Sequence, residues 1–80
     1  MTINNATANR IFNLMYEKKY TQYKLEKLSN ITHGAMDRIL NGKNKTITLT
    51  TIYKLSKAFE MTIVEFLNSD VFLSNNIEFE

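Results

Sequence analysis

Cysteine, proline and tryptophan are absent from this chain, and glycine occurs only twice, at positions 34 and 42. Without cysteine there is no disulfide framework, no thiolate metal site and no thiol nucleophile. Without proline, and with so little glycine, few residues interrupt a helix. No window is apolar for the length of a membrane span, and Met1-Thr2-Ile3-Asn4-Asn5 is not a basic segment followed by an apolar one. A membrane partner is therefore not expected, and a cytoplasmic location is. Histidine occurs once, at His33, and no acidic cluster has metal-ligand spacing. That leaves no acid/base pair, triad or metal site to assign, so an enzyme is not expected.

What is present is basic and helical. Eighty residues make one small domain. The net charge of +2 is unevenly spread: residues 1–68 hold all ten Lys and Arg against five Asp and Glu, a net +5, whereas residues 69–80 hold three acids and no base. A positive body with a negative tail suits a polyanionic partner.

Apolar residues recur at helical spacing. Ile11, Leu14, Met15 and Lys18 predict a first helix over 8–19. Thr21 is a cap for a second helix with Leu25 and Leu28 inward, and Asn30 falls where the following turn needs positive φ. Thr32 caps a third helix, about 33–41, with Ala35, Met36, Ile39 and Leu40 inward, and Gly42 ends it. Lys43-Asn44-Lys45-Thr46-Ile47 is a polar, basic loop. A fourth helix runs from Leu49 to Phe59 with Ile52, Leu55, Ser56 and Phe59 on one stripe. Thr62-Ile63-Val64-Glu65 is a capping box for a fifth, with Ile63, Phe66 and Leu67 inward. The pattern predicts an all-α domain over 6–68 and a tail over 69–80, which alternates like a strand at Ile77-Glu78-Phe79-Glu80 after a candidate turn at Asn75-Asn76. Within the domain, Thr21 to Gly42 reads as two short amphipathic helices joined by a tight turn, the geometry that lowers a helix into the DNA major groove.

From Arg10 to Leu67 the chain resembles the lambda-repressor-like, Cro/cI-type (XRE) helix-turn-helix domain of bacterial and phage regulators. The residues that carry the resemblance are Thr21, Gln22, Leu25, Leu28, Ile31, Thr32, Met36, Ile39, Asn41, Gly42 and Lys43. Leu49 to Phe59 and Thr62 to Leu67 are similar to that family's fourth and fifth helices. The resemblance implies a compact five-helix fold and sequence-specific binding of double-stranded DNA, as a homodimer on a two-fold operator. It also implies repressor-like regulation of transcription, with no enzymatic activity; no cofactor or small-molecule ligand is expected.

In that frame the exposed N-terminal end of the third helix faces base edges, which makes His33, Gly34, Asp37 and Arg38 the expected base-contact residues. Arg38 has the fork that pairs with guanine O6 and N7. Asp37 either accepts from cytosine N4 or orients Arg38. Gly34 departs from the family's usual polar residue and allows either close backbone approach or a water-mediated contact. Gln22 matches the family's phosphate-binding glutamine. Thr32, Asn41, Lys43 and Lys45 are the other expected phosphate contacts, with Thr46 a weaker one. Glu26 stands where the family commonly has alanine, and is expected at the rim beside Arg38, Lys27 or a loop lysine.

Phe12 and Tyr16, spaced i and i+4 where the family's first helix faces water, leave an apolar surface. Val64, Val71, Phe72, Leu73, Ile77 and Phe79 join them as candidates for a dimer interface or for a tail folded over the first helix. A rival reading is a protein-interaction module on the same fold, of antitoxin or anti-repressor type, acting through the apolar tail.

Overall fold

The computed structural model describes residues 1–44, 46–73 and 77–78. Lys45, Phe79 and the Asn75-Asn76 turn expected from sequence lie outside the described residues. The element order is α1 (Ile3–Lys18), α2 (Gln22–Ser29), α3 (His33–Leu40), α4 (Leu49–Ala58), α5 (Ile63–Leu67) and a 3-10 turn (Asp70–Phe72). Among the described residues there is no strand, and no helix is long and apolar enough to cross a membrane.

Threonine opens every one of these five α-helices. Thr2, Thr21, Thr32, Thr48 and Thr62 each sit in extended conformation and accept, through Oγ1, the backbone N–H three residues on. Each thus satisfies one of the amides that a helix start leaves without a partner. At Thr62 the box is complete, because Glu65 returns a bond to the Thr62 amide at 2.9 Å. α1 begins at Ile3 rather than at residue 8, because Thr2 caps a turn whose Asn4 and Asn5 carry little helical signal. The predicted domain boundary at residue 6 therefore falls inside α1.

Helices end through left-handed residues. Lys19, Asn30 and Glu60 take φ of 58°, 58° and 59°, and Gly42 takes 67°. After α3 the Gly42 amide reaches the Ile39 carbonyl at 3.1 Å and the Lys43 amide reaches that of Arg38 at 2.9 Å, a full Schellman turn. Asn30 and Gly42 behave as their side chains predict. Lys19 and Glu60 carry no such signature, yet the same closure forms there, with the Tyr20 amide on the Met15 carbonyl at 2.9 Å and the Met61 amide on that of Ser56 at 3.0 Å.

The core joins Ile11 and Leu14 of α1, Leu25 of α2, Met36, Ile39 and Leu40 of α3, Ile52, Leu55 and Ala58 of α4, and Phe59 and Phe66. Tyr20 stacks on Phe59 with ring centroids 5.6 Å apart. Ser56, on the same stripe, is buried and donates to the Ile52 carbonyl at 2.8 Å. Two residues expected to face inward do not. Leu28 is 49% exposed because Ser29, one turn beyond Leu25, takes the buried slot on α2. Leu67 is exposed because α5 has little more than one turn and Phe66 fills its inward position.

Arg10 of α1 ties α5 down. Its Nε donates to the Phe66 carbonyl at 2.7 Å and its Nη2 to that of Glu65 at 2.9 Å, with the guanidinium 5.9 Å from the Phe66 ring centroid. A cation is thereby placed on the carbonyls that a helix end leaves free.

The described tail packs on its own chain, but not on Phe12 and Tyr16. Phe72 lies 6.5 Å from the Phe66 ring and is half-buried against the core. The Glu78 amide donates to the Met1 carbonyl at 2.9 Å, and Thr2 and Glu78 form an isolated parallel bridge. The expected strand is thus a single bridge among the described residues, made to the start of α1. Val71 and Ile77 are half-buried, Leu73 is exposed, and Phe12 and Tyr16 stay 48% and 86% exposed.

Candidate nucleic-acid interface

α2 and α3 are joined by Asn30, Ile31 and Thr32. Asn30 turns the chain with its positive φ, Ile31 packs on the core, and Thr32 starts α3 by accepting from the Ala35 amide at 3.3 Å. Met36, Ile39 and Leu40 anchor the inner side of α3. The opposite side is left to solvent: Thr32, His33, Gly34, Arg38 and Asn41 are exposed, and Asp37 is half-exposed. Lys43, just beyond the Schellman turn, is exposed as well. Gln22 lies at the start of α2, within reach of α3.

Four polar side chains bridge the two helices. Gln22 Nε2 donates to Glu26 Oε2 at 2.8 Å and to Asp37 Oδ1 at 2.7 Å. His33 Nδ1 meets the same Glu26 oxygen at 2.8 Å, and His33 Nε2 lies 3.3 Å from Asp37 Oδ2. Both N–H groups of the Gln22 amide are therefore committed to carboxylates, and a phosphate contact from them requires one to be released. Each ring nitrogen of His33 faces a carboxylate, an arrangement that favours imidazolium. The His33 pKa is raised above the usual 6.5, chiefly by the hydrogen bond to Glu26, then by the charges of Asp37 and Glu26.

This geometry revises two expectations. Among the described residues the donors to Glu26 are Gln22 and His33 rather than Arg38, Lys27 or Lys43, because the i,i+4 spacing on α2 and the short turn into α3 bring those two nearest. The Glu26 side chain is only 12% exposed, so these bonds offset the cost of partly burying its charge. Asp37 faces Gln22 and His33, which leaves orienting Arg38 without a geometric basis.

Arg38 instead lies along the open side of α3 at Gly34. A Cβ at position 34 would stand 3.8 Å from Arg38 Nη1, an ordinary contact, and Gly34 has no positive φ. The fold does not need glycine there; its effect is to leave the outer surface of α3 low. Gly42 is different, since its positive φ strains any side chain and a Cβ there would displace the Asn5 side-chain oxygen.

The carboxylates and imidazole of this cluster bond to one another. Among the described residues no group of His, Asp and Glu is placed to hold a metal ion.

Sequence reasoning did not single out Asn4, Asn5 and Asn44. Asn4 is buried on α1, and its side-chain amide donates to the Asn44 carbonyl in the loop after α3. The Asn44 side chain donates in turn to the Thr46 carbonyl at 2.9 Å. The sequence carried no signal for this, because asparagines near a helix start and in a loop are ordinary in both places.

A family model described as a Cro/C1-type HTH DNA-binding domain matches residues 10–70. No curated protein and no solved structure matches the chain.

Proposed function

The chain belongs to the Cro/C1-type HTH DNA-binding domain family, and on that premise we propose that it is a sequence-specific regulator of transcription that binds double-stranded DNA as a homodimer, in the manner of a repressor. The observation that carries the reading is the outer side of α3. It is free of packing, opens at a capped N-terminus and is flanked by the head of α2 on one side and Asn41 and Lys43 on the other. A helix presented in this way enters the major groove with its N-terminal residues toward base edges.

Each side chain then has a role. Arg38 pairs with guanine O6 and N7. Asp37 accepts from cytosine N4, its oxygens held ready by Gln22 and His33. His33, as imidazolium, offsets the two carboxylates beside it and approaches a base edge or a phosphate. Gly34 lets the backbone come close to the bases. Thr32, Asn41, Lys43 and Lys45 hold phosphates and set the register without reading sequence, and Gln22 joins them by releasing its bond to Glu26. No step of chemistry belongs to this reading, and such a regulator would act on DNA in the cytoplasm of a bacterium.

A dimer is proposed because a two-fold operator needs two recognition helices, and Phe12, Tyr16 and Val64 offer apolar area for joining them. The described tail supports this reading over a module that acts through the tail, since Phe72 is spent on Phe66.

Selection of sites from a random duplex library at near-physiological salt tests the whole reading. The expected product is an inverted repeat whose half-sites lie about 10 base pairs apart, or a multiple. A library that emerges without enrichment overturns it.

A further inference from the structure

The start of α1 is joined to the loop that follows the recognition helix. Asn4 is 2% exposed, and its amide donates to the Asn44 carbonyl forty positions away rather than to its own turn. Beside it, the Asn5 side-chain oxygen occupies the space that a Cβ on Gly42 would need, so the start of α1 lies close against the Schellman turn. The Asn44 side chain passes the constraint on to the Thr46 carbonyl. The start of α1 is itself held, by the Thr2 cap and by the bond from the Glu78 amide to Met1. A buried amide that selects one carbonyl of a polar loop fixes a backbone that would otherwise fluctuate. That backbone carries Lys43, which is exposed.

We propose that Asn4 is a positioning residue for DNA binding: by holding the Asn44 carbonyl it sets the backbone from which Lys43 grips a phosphate. The inference rests on the DNA-binding reading above. Asn4 itself touches no DNA. It acts by reducing the freedom that the loop loses on binding, so its effect passes through Lys43.

The test uses the full chain, a mixed-sequence duplex oligonucleotide and a temperature at which circular dichroism shows every variant folded. Asn4→Leu keeps most of the volume and removes the donor; Asn4→Ala replaces it if the leucine variant does not fold. Lys43→Ala should lower the slope of log affinity against log salt by about one unit. The Asn4 variant should lower it by most of that amount, and the double variant should bind no more weakly than Lys43→Ala alone. An unchanged slope, or losses that simply add, overturns the proposal. In the free protein, the backbone order parameters of Lys43, Asn44 and Thr46 should fall in the Asn4 variant while those of α3 stay unchanged. Unaltered loop values overturn it too. If the unsubstituted chain binds no duplex at low salt, the DNA-binding reading fails and Asn4 as a residue for DNA binding falls with it. If the chain binds and the Asn4 variant matches it in slope, only the present inference fails.

Discussion

His33 is the residue on which charge at the interface turns. It stands between Glu26 on α2 and Asp37 on α3, with Gln22 bonded to both. Because its folded pKa is raised, the protonated form is the one the fold favours. The stabilisation is fully present below the usual 6.5 and is lost as pH rises through the raised value. In the proposed docking, deprotonation would also leave two carboxylates near phosphate without a compensating cation. Affinity for duplex DNA should therefore fall as pH rises above 6.5, and His33→Gln should flatten that dependence. Anisotropy at constant ionic strength reads the affinity, and the imidazole resonance of the chain's single histidine reads the titration directly. Arg38 and Lys43 separate the two kinds of contact. Arg38→Ala should cost about 1–3 kcal/mol on the selected site and relax one position of it, whereas Lys43→Ala should weaken all sequences alike and flatten the salt dependence. Two variants that bind as the unsubstituted chain does would refute the docking frame.

At the scale of elements, the five threonine caps are chemically alike but unequal in consequence. Each relieves one unpaired amide, so Thr48→Ala and Thr32→Ala should each lower stability by about 1 kcal/mol in thermal or urea unfolding. Thr48 starts α4 and carries no proposed DNA contact, so its loss should change DNA affinity less than the loss of Thr32 once both variants are fully folded. Thr32 starts the proposed recognition helix, and its loss should loosen the turn that carries His33 and Gly34 and weaken binding severalfold. Equal affinities for the two variants would show that the first turn of α3 is not at the DNA. The capping box on α5 has a pH signature of its own. The hydrogen bond from the Thr62 amide, then that to the Thr62 side chain, lowers the Glu65 pKa below 4.5, so its contribution is present above that value and is lost as pH falls through the lowered one.

At the scale of the whole molecule, the apolar residues left over by the sequence pattern divide into two sets. Phe72 belongs to the body of its own chain, against Phe66, and Arg10 lies over the same Phe66 ring. Phe72→Ala should therefore act on stability, by about 1–3 kcal/mol for a half-buried ring, and leave self-association unaltered at temperatures where the domain is folded. Phe12 and Tyr16 remain on the surface. Tyr16→Glu should leave the melting temperature nearly unchanged and weaken self-association in sedimentation; sedimentation that stays the same would remove α1 from the dimer.

The sequence by itself determined the helices and their order. Apolar spacing, threonine at 21, 32 and 62, Asn30 and Gly42 are local signals, and a helix is a local structure whose bonds close within one turn. The same locality made the exposed side of α3 legible, with His33, Gly34, Asp37, Arg38 and Lys43 on or beside it. Only the tertiary structure decided which partners those side chains take. Among the described residues Glu26 finds Gln22 and His33 rather than Arg38 or Lys27, Leu28 yields its inward place to Ser29, and Asn4 reaches the loop after α3. Phe72 turns to its own core while Tyr16 is left outside. Hydrogen bonds and ring contacts between distant residues depend on where whole helices sit to within an ångström or so, and that placement is set by the packing of the entire core at once rather than by any segment of the chain.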